Sequence, residues 1–169
     1  NTIGDWNTAV GTSALNANSN IGNTAGEWNT AMGGQALKNN TAGAYNVAMG
    51  VNALVANVDG NYNIAVGTNA LKDNTTGNEN VAMGANSLAS NTGSTGYSNT
   101  AVGTNALQKN TSGFNNVAMG VNAMQRSTNP KWSVVVGCNA LMDNESSGTV
   151  AVGGQALQIN TTGTYNTAV

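Results

Sequence analysis

Short apolar triplets recur along this chain at nearly constant spacing, and each triplet is closed by a glycine. The common form is Asn-x-Ala-x-Gly, as at 46–50 and 80–84. The anchor glycines are Gly11, Gly33, Gly50, Gly67, Gly84, Gly103, Gly120, Gly137 and Gly153. Most successive anchors stand 17 residues apart, and an Asn-Ala-Leu signature and an Asn-Thr-Thr-Gly type of turn follow the anchor in many units. An internal repeat of this length decides the fold.

Each repeat unit predicts two short strands joined by turns. Residues 45–49, Tyr-Asn-Val-Ala-Met, alternate with period two, so the tyrosine, valine and methionine share one face. Residues 52–55 predict a second strand and 57–61 a corner, which together make one coil. We therefore predict an all-β fold, a parallel β-solenoid (β-roll) of about ten 17-residue coils. We expect it to form a single repeat domain over residues 1–169, as a fragment of a longer fibre protein.

The middle position of the first strand predicts an assembly. Its residues are Ala9, Ala31, Ala48, Ala65, Ala82, Ala101, Ala118, Val135, Ala151 and Ala168. A position facing solvent would also admit Lys, Glu or Ser, so we expect this face to contact a partner, with Val, Ile and Met inside the coil. A thin 17-residue coil gains buried surface by association. The predicted partner is the chain itself, in a parallel homotrimer.

Composition narrows the class of partner. Charged residues make up 7 % of the chain, against roughly 25 % in typical proteins. With a net charge of −2, the chain offers no basic patch, so nucleic acid is not an expected partner. No apolar run approaches the ~18 residues of a membrane-spanning helix, so we expect no membrane insertion in this segment. Cys138 is the single cysteine, which leaves no disulfide within the chain.

The repeat resembles two families of surface fibres. Asn-Val-Ala-Met-Gly followed by Asn-Ala-Leu is similar to the repeats of trimeric autotransporter adhesin heads, in which three chains form left-handed parallel β-rolls around one axis. The longer unit with Asn-Thr-Thr-Gly corners resembles repeats of phage tail fibres, many of which end in an endosialidase-type chaperone. The resemblance implies an extracellular, cell-surface or virion location. It implies left-handed coils, whereas the general crossover rule favours right-handed ones.

Two recurring residue types are candidate contact surfaces. Asparagines recur at three registers, for example Asn46, Asn52 and Asn57, where stacked amides predict ladders along the rod and an array contacting glycans or ice is the alternative. Aromatic residues stand just before the anchor asparagine: Trp6, Trp28, Tyr45, Tyr62, Trp132 and Tyr165. This stripe either closes the edge of the coil or packs between chains, or it stacks against sugar rings.

Two insertions break the period and are candidate recognition loops. One adds five residues between Leu15 and Gly26, and the other adds two between Leu88 and Gly96. Loops on a rigid scaffold often carry recognition, although neutral drift of a tolerant corner explains them as well. The candidate residues for binding a cell-surface glycan or receptor are Asn18, Asn20, Asn23, Trp28, Thr92, Thr95 and Tyr97.

The distribution of reactive side chains argues against an enzyme. The chain has no histidine, its carboxylates are scattered over different coils, and no nucleophile stands near a base in the repeat. We expect no catalytic residue, cofactor or metal. The predicted function is a structural or adhesive rod that spaces or displays attachment sites. The alternative is an ice-binding solenoid, which needs an outward threonine in every coil. The position before the central alanine holds threonine in only some coils, and we expect it to face inward.

Overall fold

The structure, a computed structural model, describes residues 6–17, 26–92, 94–144 and 147–169, which form strands and turns and contain no helix. The strands are β1 (Thr8–Val10), β2 (Thr30–Met32), β3 (Val47–Met49), β4 (Ile64–Val66), β5 (Val81–Met83), β6 (Thr100–Val102), β7 (Val117–Met119), β8 (Val134–Val136), β9 (Asp143–Asn144), β10 (Val150–Val152), β11 (Ile159–Asn160) and β12 (Thr167–Ala168). Ten of them form one sheet in chain order, with β9 and β11 absent from it and paired with each other.

The large sheet is parallel and in register, so equivalent residues of successive coils lie beside each other. Ala48 pairs with Ala65, and Ala65 pairs with Ala82. Hydrogen bonds that join equivalent residues 17 positions apart repeat along the chain. The predicted all-β parallel solenoid with a 17-residue spacing is confirmed, and it makes about eight turns.

The predicted second strand is wrong, because residues 51–56 form consecutive turns. Asn52 and Leu54 have φ of 58° and 51°, in the left-handed region that a β-strand does not use. The Leu54 N–H donates to the Ala70 carbonyl of the next coil at 3.0 Å, whereas the Val55 N–H donates back to Asn52 at 3.3 Å. Only some backbone N–H groups of this stretch therefore bond to a neighbouring coil, whereas others bond within the same turn.

The predicted sidedness of the first strand is also wrong. The alternation is correct, but the alanine face points into the coil, where Ala48, Ala65 and Ala82 are fully buried. Leucines such as Leu54 and Leu71 belong to the same buried cluster. Because these leucines fill the narrow interior, the strand opposite has room only for small side chains, which are alanine in most coils and the fully buried Val135 in one. The alanine therefore recurs because the coil is narrow, and not because this position contacts a partner.

Buried asparagines close the corner of each coil. The Asn63 backbone N–H donates to Asn46 Oδ1 at 2.9 Å, and Asn63 Nδ2 donates to the Gly77 carbonyl at 2.8 Å. Asn63 Oδ1 in turn accepts the backbone N–H of Asn80 at 3.0 Å. Each amide thus satisfies backbone groups that the thin coil cannot pair within a sheet.

The anchor glycine allows the coils to approach at the end of the strand. Gly67 has φ of 133°, and a Cβ atom there would lie 2.6 Å from the Gly84 carbonyl oxygen of the next coil. Only glycine combines this backbone conformation with so short an approach.

Candidate functional site

The outer face of the large sheet exposes large apolar side chains along the described chain. In each strand the residues on either side of the central residue point away from the interior. Ile64, Met83 and Met119 are 40 %, 45 % and 43 % exposed. These columns contain only threonine, valine, isoleucine and methionine in β1–β8, β10 and β12. The result is a flat, uncharged strip along the rod, which we call the outer face.

The outer face was assigned to the interior by sequence reasoning. Period-two alternation groups Val47 with Met49 correctly, but it does not say which group is inside. Residue size is the sequence signal that indicates which group is inside, because a narrow coil admits alanine more readily than larger residues in its interior. The threonines before the central alanine (Thr8, Thr30, Thr100 and Thr167) also belong to the outer face rather than facing inward as expected.

The aromatic stripe forms a ladder of stacked rings. The centroids of Trp6 and Trp28 are 5.0 Å apart, those of Trp28 and Tyr45 6.3 Å, and those of Tyr45 and Tyr62 4.9 Å. The ring planes of these pairs are parallel to within 6°. The stack follows the rod because each ring belongs to the next coil. We call these four residues the aromatic ladder.

A second, shorter stack begins at Tyr97, which stands one position earlier in its repeat unit than the rings of the aromatic ladder. The centroids of Tyr97 and Phe114 are 5.1 Å apart with planes 9° from parallel, and Trp132 meets Phe114 edge-on at 5.3 Å. Lys131 Nζ lies over the Phe114 ring at 5.4 Å. Between the two stacks, the coil that carries Asn78 and Glu79 has no ring.

The stacked geometry restricts the predicted sugar contact. A sugar stacks on the face of a ring, and both faces of Trp28 and Tyr45 are covered by their neighbours in the ladder. The neighbouring rings restrict access to these faces, although Trp28 is 46 % and Tyr45 48 % exposed. At the ends of the stacks, Tyr62 and Tyr97 each have one ring partner, and the other face of each ring borders the ringless coil.

The predicted recognition residues do not form one site. Trp28 lies in the aromatic ladder, four coils from the Tyr97 coil. Thr92 and Thr95 are exposed, with the Thr95 hydroxyl donating to the Ser112 carbonyl at 3.3 Å. Tyr97 is 38 % exposed and stacked on Phe114. Asn18, Asn20 and Asn23 lie outside the described residues.

The corner hydrogen bonds locate the second insertion. Asn57 and Asn74 donate to a glycine three residues later, whereas Asn91 Nδ2 donates to the Gly96 carbonyl five residues later at 2.9 Å. The two extra residues are thus held between Asn91 and Gly96, and the buried asparagine keeps its partner.

The asparagine ladders are structural at the two corner registers. Asn63 and Asn74, one from each register, are fully buried, so they contact neither glycan nor ice. The third register is half-buried: Asn52 Nδ2 donates to Asn69 Oδ1 at 3.2 Å, and Asn69 Nδ2 donates to Asn86 Oδ1 at 3.1 Å. The predicted ladders are therefore present along the rod.

Charged groups are few and isolated. Among the described residues the ion pairs are Lys72–Asp73 and Arg126–Asp143. In that same part of the chain, no three His, Cys, Asp or Glu side chains lie close enough to hold a metal ion. A search of these residues finds no helix with the length and hydropathy to span a membrane. Cys138 is exposed and has a free thiol.

No protein-family model matches the chain, and neither curated proteins nor solved structures give a match. Function is therefore inferred from the surfaces described above.

Proposed function

We propose that this chain is a structural and adhesive rod module of an extracellular or virion fibre, that it has no catalytic role, and that it associates with copies of itself through the outer face. The observation that carries the proposal is the uncharged, apolar character of that face over ten strands. Soluble monomers rarely leave a contiguous apolar surface of more than a few hundred Å² open to water.

A second copy of the chain fits this face better than an unrelated partner does. The face repeats with the rise of the coils, about 4.8 Å, and another copy has the same period along its whole length. The columns of Ile64 and Met83 contain no charge that would have to lose its water or find a counterion. Parallel copies can therefore mesh their side chains at every coil.

The resemblance of the repeat to trimeric adhesin heads favours three chains over two, and the face alone is small for one interface. Ten strands about 4.8 Å apart, each three residues of about 3.3 Å, give roughly 480 Å², whereas a stable interface needs about 800 Å² per partner. The position after the anchor glycine widens the strip, with Val51 and Val121 51 % and 47 % exposed. In a homotrimer each chain contacts two neighbours, which is also the arrangement of the adhesin heads that the repeat resembles.

The test compares charge on the outer face with charge elsewhere. Ile64→Glu introduces a carboxylate on the outer face, and Val58→Glu introduces one at a corner, where the original side chains are 40 % and 41 % exposed. We expect Ile64→Glu to lower the mass measured by light scattering to that of one chain, with an unchanged circular dichroism spectrum. Val58→Glu should keep the mass of the wild type. Equal effects of the two substitutions would refute an interface on the outer face.

Ice binding is the second candidate, and the outward position of Thr8, Thr30 and Thr100 favours it. Threonine occupies this column in only four of the ten strands, and the other column mixes flexible methionines with valines. Thermal hysteresis of the purified chain distinguishes the two functions. A rod that only associates with itself should show no thermal hysteresis. Hysteresis that is abolished by Thr30→Leu would establish ice binding.

A further inference from the structure

The ringless coil between the two aromatic stacks has the features of a binding site for a small organic cation. Tyr62 is the last ring of the aromatic ladder, and Tyr97 is the first ring of the second stack. One coil, with Glu79, separates them, because the Glu79 N–H bonds to Asn61 beside Tyr62 and the Ser98 N–H bonds to Asn78. Each tyrosine therefore has one ring face turned toward the Glu79 coil.

The spacing of the two rings suits a rounded ligand. Two coil steps of about 4.8 Å and a sideways offset of one residue, about 3.3 Å, place the rings roughly 10 Å apart. A cation midway lies about 5 Å from each ring, inside the ~6 Å range of a cation–π interaction. The rings are accessible, since Tyr62 is 58 % and Tyr97 38 % exposed.

Charge selects a cation rather than a neutral ligand or an anion. Glu79 is exposed, and its Oε2 accepts a hydrogen bond from the Ser98 hydroxyl at 2.8 Å, which fixes the carboxylate beside the coil of Tyr97. None of the ion pairs formed by the described residues involves Glu79. The site thus combines an unpaired negative charge with two electron-rich ring faces.

We propose that Tyr62, Glu79 and Tyr97 bind a quaternary or methylated ammonium group. Such a group has a diffuse charge and no strong hydration shell, so it gains more from ring faces than a primary ammonium does. Because the three residues belong to one chain, the site is independent of the proposed self-association.

The test uses choline and its neutral isostere 3,3-dimethylbutan-1-ol as probes of the intact chain. We expect choline to bind with a Kd on the order of millimolar, measured by calorimetry or by NMR shifts of the tyrosine rings. The neutral isostere should bind at least threefold more weakly. Equal binding of the two probes, or no binding of choline at tens of millimolar, would overturn the proposal.

Variants assign the binding to these residues. Glu79→Gln retains an oxygen for the Ser98 hydroxyl and removes the charge, and Tyr62→Leu removes one ring. Each should weaken choline binding about threefold or more. Trp28→Leu is the matched control, since both faces of that ring are covered by its neighbours. The proposal is wrong if Trp28→Leu weakens choline binding as much as Tyr62→Leu in variants that keep the wild-type circular dichroism spectrum.

Discussion

Ile64 and Ala65 are neighbours in one strand, and they face opposite environments. Ala65 is fully buried inside the coil, whereas Ile64 is 40 % exposed on the outer face. The larger apolar residue is therefore the one in water, which reverses the usual order of burial. The central residue is likewise buried in β2–β8 and β10, with more exposed residues on both sides of it.

The narrow interior predicts that Ala65 does not tolerate a side chain as large as leucine. Ala65→Leu adds three carbon atoms beside the buried Leu54 and Leu71, and overpacking of this kind costs about 1–3 kcal/mol. The free energy of unfolding, measured in urea, should fall by that amount. Ile64→Leu is the control and should change it by less than about 0.5 kcal/mol. If Ala65→Leu is as mild as the control, the alanine does not face a packed interior.

The asparagine corner predicts a large cost for losing one amide. Asn63→Ala leaves the Asn80 backbone N–H without the partner that Asn63 supplies, and it removes one of two donors from the Gly77 carbonyl, which keeps Asn74 Nδ2. A buried unpaired group costs about 1–3 kcal/mol, so we expect a loss of that size in urea unfolding. Asn39→Ala changes an exposed asparagine and should be nearly neutral. Similar stabilities of the two variants would contradict a structural ladder.

The repeat, the first strand and the corners follow from the sequence because spacing and turn residues are local signals. Sidedness does not follow, since alternation at Val47 and Met49 is the same whichever face is buried. The turns at Asn52 and Leu54 were missed because left-handed φ at a leucine has no clear sequence signature. The aromatic stripe was visible in the sequence, but the covered ring faces depend on the rise between coils, which brings Tyr45 and Tyr62 into contact.

Substitution of a corner glycine tests steric crowding between coils separately from backbone conformation. None of Gly43, Gly60, Gly77 and Gly113 has a left-handed φ, which is consistent with Pro130 at the equivalent place. A Cβ atom on Gly77 would nevertheless lie 2.5 Å from the Gly96 carbonyl oxygen and 2.9 Å from Asn91 Nδ2. We expect Gly77→Ala to cost more than about 1 kcal/mol through this steric conflict.

Gly34→Ala is the matched control for Gly77→Ala. A Cβ atom on Gly34 meets nothing within 4 Å, and Ala85 occupies the equivalent place in another coil. The unfolding midpoint of Gly34→Ala should equal that of the wild type. A neutral Gly77→Ala would show that the corner relaxes without cost.

The second insertion should be removable without loss of the fold. Deleting two residues from 92–95 restores the three-residue spacing that Asn57 and Asn74 have with their glycines. We expect a change in unfolding free energy within about 0.5 kcal/mol, whereas deletion of the buried Ala53 and Leu54 should prevent folding. Attachment of the trimmed rod to its natural surface decides whether Thr92 and Thr95 take part in recognition. Unchanged attachment would remove this loop as a recognition site.

The mass of the wild-type chain in solution tests the role of the outer face most directly. Sedimentation equilibrium at micromolar concentration should give three times the 16.9 kDa mass of one chain, independent of moderate salt because the outer face carries no charge. A stable species of 16.9 kDa under the same conditions would contradict self-association through the outer face.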